Sequence, residues 1–355
     1  MKSRTSLEII LTTDPAIEVA ASSRLLTARS LGLFFLICTV LLVGVVASLS
    51  VGAAQISFQD VVQWASGEGG LTQVQEAILG RSRLPRLIVA LLVGVNLAVS
   101  GLLLQLVTRN PLADPGLIGV TAGAGLAATI VLALYPKAAS ILPFAAFSGA
   151  LVSSIIVYGV SWRPGAGTSP IRMILAGVAV NAILGAVIGF LMTAYSDRIP
   201  SMMFWTSGSF NGRSWNHFDL IWPYSLIGVI ASIWLIPKLK ILEMGEDTAT
   251  SLGVDVGRTR LLTFVTAALL AGSAASVAGL VGFVGLVVPH LVRLLVGRSI
   301  VLLPACALGG ACLLVWSDVA ARAILPPSEI AVGVITGLLG GPYFVYLLYK
   351  SRWLQ

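Results

Sequence analysis

An all-α polytopic membrane protein with ten transmembrane helices is the fold class predicted for this chain, on three observations. Only 10% of its 355 residues are charged and 57% are hydrophobic, with a mean hydropathy of +0.96. A soluble chain carries about 25% charged residues, and the polar surface available here could not cover a globule. The apolar residues also come in long unbroken runs, where membrane strands would give short alternating segments. Charges or Pro, Gly and Asn clusters divide these runs into lengths near the ~20 residues a helix needs to cross the hydrocarbon core.

Taken in order, residues 1–29 read as a cytoplasmic N-terminal tail. Asp14 and Glu18 precede Arg24 and Arg29, and a secretory signal would place its apolar core nearer the start, without the acids. Spans are then expected at about 30–51, 86–107, 115–135, 139–161, 170–194, 217–237, 259–278, 280–296, 300–321 and 330–349. Residues 30–350 thus form one transmembrane domain, and 351–355 a cytoplasmic C-terminus. An even number of crossings leaves both termini on one face. With that face inside, fifteen of the 22 Lys and Arg are cytoplasmic, as the positive-inside rule requires. Outside lie Arg81, Arg83, Arg86, Lys137, Arg198, Arg213 and Arg322.

Several function classes are disfavoured by what the residues are. Cys38, Cys306 and Cys312 lie in apolar runs at no metal-like spacing, and read as small core residues. His217 and His290, the two histidines, fall near opposite faces, so no nucleophile–base–orienter set can form around them. No His-x-x-x-His, paired Cys or clustered carboxylate could hold a metal, and no cofactor is expected in the chain. A Gly-Lys-Ser/Thr phosphate loop is also lacking, so if transport is driven by ATP, another subunit hydrolyses it. Basic clusters with interleaved aromatics do not occur, which sets nucleic acid aside. Asp318 is the main ionisable residue within a span and sits near its outer end, which argues against proton coupling. A channel or secondary carrier without an ATPase is the rival class.

Four segments carry more. In Gly279–Arg293 three glycines and Pro289-His290 interrupt an apolar run, a pattern tolerated where neighbouring helices or a cavity satisfy the backbone. Arg83-Leu-Pro-Arg86 fixes two arginines at the outer mouth of the second span, with proline starting the helix, and Arg322 precedes Pro326 in a similar place. Arg suits carboxylates bidentately, so an acidic partner outside is one reading and interfacial anchoring the other. Arg109–Val120 is a tight two-proline loop on the cytoplasmic side. In Leu242–Val254, the longest polar interruption inside, Glu246 to Leu252 can form a short helix with acids in its first turn, ended by Gly253.

These segments, collinear over residues 30–350, resemble the FecCD-type permeases of ABC importers, the family of the vitamin B12, haem and ferric-siderophore permeases. The agreeing motifs are Arg83-Leu-Pro-Arg86, Asn110-Pro-Leu-Ala113 with Pro115–Gly119, Gly245-Glu246 followed by Ala249 and Leu252-Gly253, Gly282–His290, and Glu329–Gly333. The resemblance implies a vitamin B12 permease-like bundle of the type II importers in a bacterial inner membrane. It implies a second permease subunit, identical or a close paralogue, with the translocation path between the two. Two cytosolic ABC ATPase subunits and one external substrate-binding protein complete the assembly. Arg83, Arg86 and Arg322 match arginines that pair with glutamates of the binding protein. Glu246, Ala249, Leu252 and Gly253, within a coupling segment 242–258, match the helix that docks on the ATPase. Asn110 and Leu112, with Thr168 and Ser169, match the loops that close the pore to the cytoplasm. Phe204–Trp215 is similar to the siderophore members, so a ferric siderophore is the expected cargo, with haem or cobalamin as alternatives. Arg81 and the long tail have no counterpart that assigns them a role.

Overall fold

The computed structural model describes residues 15–350, apart from 53, 55, 68, 164–166 and 298–300. Residues 1–14 of the expected tail and the 351–355 terminus lie outside the described residues. Helix α1 (Pro15–Ser50) is continuous, so the polar segment from Pro15 onward and the first apolar span share one helix. Two short helices follow, α2 (Phe58–Ser66) and α3 (Gln73–Ala77), and then α4 (Leu84–Thr108), α5 (Val120–Leu134) and α6 (Leu142–Ser161). A two-residue ribbon, β1 (Trp162–Arg163) against β2 (Gly167–Thr168), leads into α7 (Pro170–Ala194). The chain continues as α8 (Ile199–Thr206), α9 (Trp215–Glu243), α10 (Glu246–Ser251), α11 (Val256–Ala278), α12 (Val284–Val296), α13 (Leu302–Ala323) and α14 (Val332–Lys350). Among the described residues seven helices are long and apolar enough to cross a membrane, and α5, α12 and α14 are shorter apolar helices. Together they make the ten.

Helix α4 is the axis of the bundle. Of its most apolar stretch 78% is buried, against 11% for α1 and 17% for α7. Lipid offers helices no hydrophobic reason to associate, so close backbone approach and polar contacts must do it. A Cβ at Gly94 would lie 2.3 Å from the Gly310 carbonyl oxygen of α13, and one at Gly101 1.9 Å from that of Gly285 in α12. No larger residue fits either crossing. Between them Asn96 Nδ2 donates to Ser225 Oγ of α9 at 2.8 Å and to Ser273 Oγ of α11 at 3.1 Å. Three helices are thereby joined by one buried amide.

Proline does not start α4, as the sequence suggested. The helix from α3 passes through a wide turn, Ile78–Arg83, and continues straight into α4. Pro85 has no N–H to complete an ordinary ladder, and a turn with i→i+5 bonding lets the helix carry on past it.

The interrupted run at 279–296 also differs from expectation. Residues 279–283 are unwound and the helix begins only at Val284. Phe283, at φ 68°, takes the left-handed conformation that turns the chain into α12. A Cβ at Gly279 would sit 2.3 Å from the Trp205 carbonyl oxygen, and one at Gly208 2.6 Å from that of Leu280. The unwound strip therefore lies directly on the chain after α8. Further along, Pro289 cannot donate to the Gly285 carbonyl four residues back. Gln105 of α4 does so instead, reaching the Gly285 and Leu286 oxygens at 3.3 and 3.2 Å. Gln105→Met should lower the thermal midpoint in detergent, since an unpaired buried carbonyl costs about 1–3 kcal/mol. Gln105→Glu should lower it further by setting a carboxylate against two carbonyls. Equal midpoints for all three proteins would show that the amide is not the missing donor.

Candidate functional sites at the two ends of the bundle

Arg83, Arg86 and Arg322 gather at one end, and all three are buried. Arg322 and Arg83 cap the end of α1. The last carbonyls of a helix have no partner within it and carry partial negative charge. Arg322 donates to the oxygens of Ser48 (3.0 Å) and Val51 (2.6 Å) and to Ser48 Oγ (2.9 Å). Arg83 donates to the Ser50 oxygen at 2.8 Å and to those of Leu49 and Ala54. Arg86 is the hub of an ion network. Its Nη2 is 2.8 Å from Asp318 Oδ1 and 2.9 Å from Glu329 Oε2, while Arg322 meets Asp318 Oδ2 at 3.1 Å. The network holds α4, α13 and the segment before α14 together. Asp318, with a side chain 1% exposed, is thus the counter-ion of two guanidiniums rather than a lone proton site.

Arg213, in the loop between α8 and α9, is a fourth guanidinium close to this cluster. Its Nη1 lies 3.3 Å from His217 Nε2, and its buried Nε has no partner among the described residues. Burial, and then the charge of Arg86, push its pKa down to about 10. Among the described residues no carboxylate pairs with it. Four guanidiniums (Arg83, Arg86, Arg213 and Arg322) therefore meet two carboxylates (Asp318 and Glu329), an excess of positive charge within a poorly solvated cluster. Such an excess favours further acids from outside the chain. Any acid aimed at Arg83, Arg86 or Arg322 has to compete with partners already in place.

Helix α9 starts beside this cluster, where Trp215 Nε1 donates to the Gly80 oxygen at 3.0 Å. Its 29 residues span about 43 Å at 1.5 Å each, and bring the chain to the opposite end of the bundle. There α10 forms as its residues dictate, with Glu246 and Asp247 in the first turn and Gly253 at φ 80° after it. Ala249 is fully buried, whereas Leu252 is 61% exposed. Arg260 of α11 forks between two elements. Its Nη1 donates to the Thr168 oxygen at 3.0 Å, and its Nη2 reaches Glu246 Oε1 at 2.6 Å.

The four residues expected to close the pore do not share one cavity. Asn110 accepts a bond from the Leu112 N–H at 2.9 Å, and both line an apolar cavity of about 390 Å³ with Phe283 and Phe344. Thr168 instead lines a cavity of about 420 Å³ with Glu246 and Arg260, while Ser169 caps α7. Helix α7 connects the two places, since Asn181 Nδ2 donates to the Gly116 oxygen at 2.8 Å. A Cβ at Gly177 would meet the Leu117 oxygen at 1.6 Å.

The FecCD transport family matches residues 40–350. The chain belongs to that family. It is 38% identical to the Fe(3+)-citrate import system permease protein YfmE of Bacillus subtilis, over 91% of this chain and 97% of that one. It is 36% identical to the hemin transport system permease protein HmuU of Yersinia pestis, over 91% and 96%. It is 40% identical to the cobalamin import system permease protein BtuC of Halobacterium salinarum, over 79% and 75%. An inward-facing structure assigned to the metal-chelate type of ABC transporter superposes with a TM-score of 0.78 at 29% identity, over 90% of this chain and 99% of that one. This FecCD protein is accordingly a multi-pass permease of the ABC importers, with the all-helical bundle expected of it.

Two features of this FecCD permease escaped the sequence reading. Arg260 is one of the fifteen cytoplasmic cations, and an arginine one residue inside an expected apolar span is itself a signal. The capping of α1 by Arg83 and Arg322 had no sequence signal, because it joins residues more than 30 and more than 270 positions apart.

Proposed function

We propose that the chain forms the translocation pathway of an ATP-driven importer for a ferric chelate, a siderophore or citrate complex, across a bacterial inner membrane. The observation that carries this reading is the full-length similarity to an Fe(3+)-citrate permease, 38% identical over 97% of that protein. Among the described residues no three His, Cys, Asp or Glu side chains come together. Bare iron would have no ligands there, so the cargo is a complete chelate, selected by shape and weak polar contacts. Haem or cobalamin is the second reading, favoured by the hemin and cobalamin relatives.

The remaining roles follow the same reading. A second permease subunit, another copy or a close paralogue, completes the pathway, with both termini in the cytoplasm. Two cytosolic ATPase subunits bind ATP and Mg and press on α10 through Glu246, Ala249, Leu252 and Gly253. An external binding protein delivers the chelate and docks its acids at the positive cluster of Arg83, Arg86 and Arg322. Asn110 and Leu112, Thr168 and Ser169 close the cytoplasmic side. The excess of guanidinium over carboxylate at one end and the exposed Leu252 at the other support these two docking faces.

Uptake by proteoliposomes holding the permease and its ATPase, with the binding protein outside, tests the reading. Radiolabelled ferric citrate and a ferric hydroxamate are the probes, and haemin and cobalamin the competitors. ATP-dependent uptake of a ferric chelate is expected. Uptake that persists without the ATPase would point to a secondary carrier, and haemin or cobalamin displacing the iron chelates would move the substrate to the second reading.

A further inference from the structure

Arg260 stands where three pieces of the chain converge. Its side chain is 10% exposed, while that of its partner Glu246 is 52% exposed. Glu246 opens α10, and Arg260 lies near the start of α11. Thr168 is the last residue of the short ribbon, and Ser169 after it caps α7. Ser169 Oγ accepts from the Arg172 N–H at 3.4 Å. A single planar guanidinium thus joins a surface helix to the residue just before the cap of a membrane helix, through one carboxylate and one main-chain oxygen. Its third donor nitrogen, Nε, is buried and has no hydrogen-bond partner among the described residues.

The surroundings make this joint movable. The cavity of about 420 Å³ opens directly on it, walled by Tyr158, Trp162 and Val256, so packed side chains do not enclose it on every side. Glu246 is reachable from outside the chain, whereas Arg260 is not. If α10 moves and takes Glu246 away, the guanidinium keeps only the Thr168 oxygen. A buried charge that loses its counter-ion is strongly disfavoured, so the guanidinium has to follow the carboxylate or be met by another. Where the guanidinium follows the carboxylate, Thr168 loses its bond.

We propose that Arg260 is the positioning residue that converts displacement of α10 into movement of Thr168 and Ser169 at the start of α7. This rests on the reading of α10 as the ATPase contact and of Thr168–Ser169 as part of the cytoplasmic closure. The fork matters as much as the charge. A lysine at 260 would keep the charge but offer a point donor in place of a planar fork, and could not hold both partners in one geometry.

The test uses the complete permease–ATPase complex in proteoliposomes, with Ser169→Cys as a reporter and Cys38, Cys306 and Cys312 replaced by Ala. Thiol labelling at position 169 is compared without nucleotide and with ATP, alongside ATP hydrolysis, ATPase co-purification and uptake of radiolabelled ferric citrate. In the parent, ATP is expected to change the labelling rate. In Arg260→Gln and Arg260→Lys the ATPase should still co-purify and hydrolyse ATP within about twofold. The ATP-dependent change in labelling should nevertheless disappear, and uptake per ATP fall about tenfold or more, equivalent to ~1.4 kcal/mol or more of lost coupling. Arg260→Lys, which keeps the charge, covers the case in which Arg260→Gln fails to fold. An ATP response at position 169 that survives in Arg260→Lys would overturn the proposal, as would labelling, hydrolysis and uptake declining in parallel with thermal stability. Failure of the underlying reading shows differently. Leu252→Asp would then leave ATPase co-purification untouched, or the parent itself would show no response at position 169.

Discussion

Asp318→Ala is expected to destabilise the protein by about 3–5 kcal/mol, the range for removing one partner of a buried ion pair. Arg86 and Arg322 both rely on this carboxylate, and only Glu329, 28% exposed in its side chain, would remain to offset them. Thermal unfolding in detergent measures the loss. Arg213→Met should do the reverse and raise the midpoint, because it removes a cation that has no carboxylate partner among the described residues and feels the charge of Arg86. The same variant should weaken capture by the external binding protein, the acid-bearing partner proposed for this face. Opposite signs for the two substitutions are the diagnostic result. An unchanged midpoint for Asp318→Ala would mean that the guanidiniums find other partners, and the account of a charge-unbalanced cluster would be wrong.

Leu252→Asp is the second large effect. Leu252 is 61% exposed just beyond α10, next to the fully buried Ala249, so it holds nothing together within the chain. If it fits an apolar pocket on the ATPase, a buried charge there removes a hot-spot contact of about 2 kcal/mol or more, roughly a thirtyfold loss of affinity. The permease alone should keep its thermal midpoint, while ATPase co-purification and ATP-driven uptake fall together. Normal co-purification would place the ATPase contact elsewhere. The Ala249→Asp variant separates the two kinds of loss, since a charge at a buried position should damage the permease before any partner is added.

The architecture was legible because each span has to hide its own backbone from lipid, which forces a run of apolar residues that shows in one dimension. The short α10 was equally local, since acids at its start and Gly253 after it are near-neighbour signals. The run at 280–296 was less legible. Its apolar residues mark membrane depth whether the chain is helical or unwound, and only the packing of Gly279 and Gly208 against carbonyls settled that 279–283 is unwound. Arg83, Arg86 and Arg322 were found but their surroundings were not. Of their partners, Ser48, Ser50 and Glu329 lie on other elements with no spacing rule to link them, and only Asp318 and Arg322, four residues apart on α13, follow the helical spacing.

What the sequence determined by itself was everything that follows from composition and short-range order: a polytopic helical permease, its motifs in register and a short connector helix with acids at its start. Tertiary structure decided which charges are paired. It turned three expected docking arginines inward, left Arg213 without an acid among the described residues, and put Arg260 between Glu246 and Thr168, residues 14 and 92 positions away. The physical reason is that solvating a charge inside a bundle is a question of distance in space, and the chain brings its partners from whichever helices happen to end there.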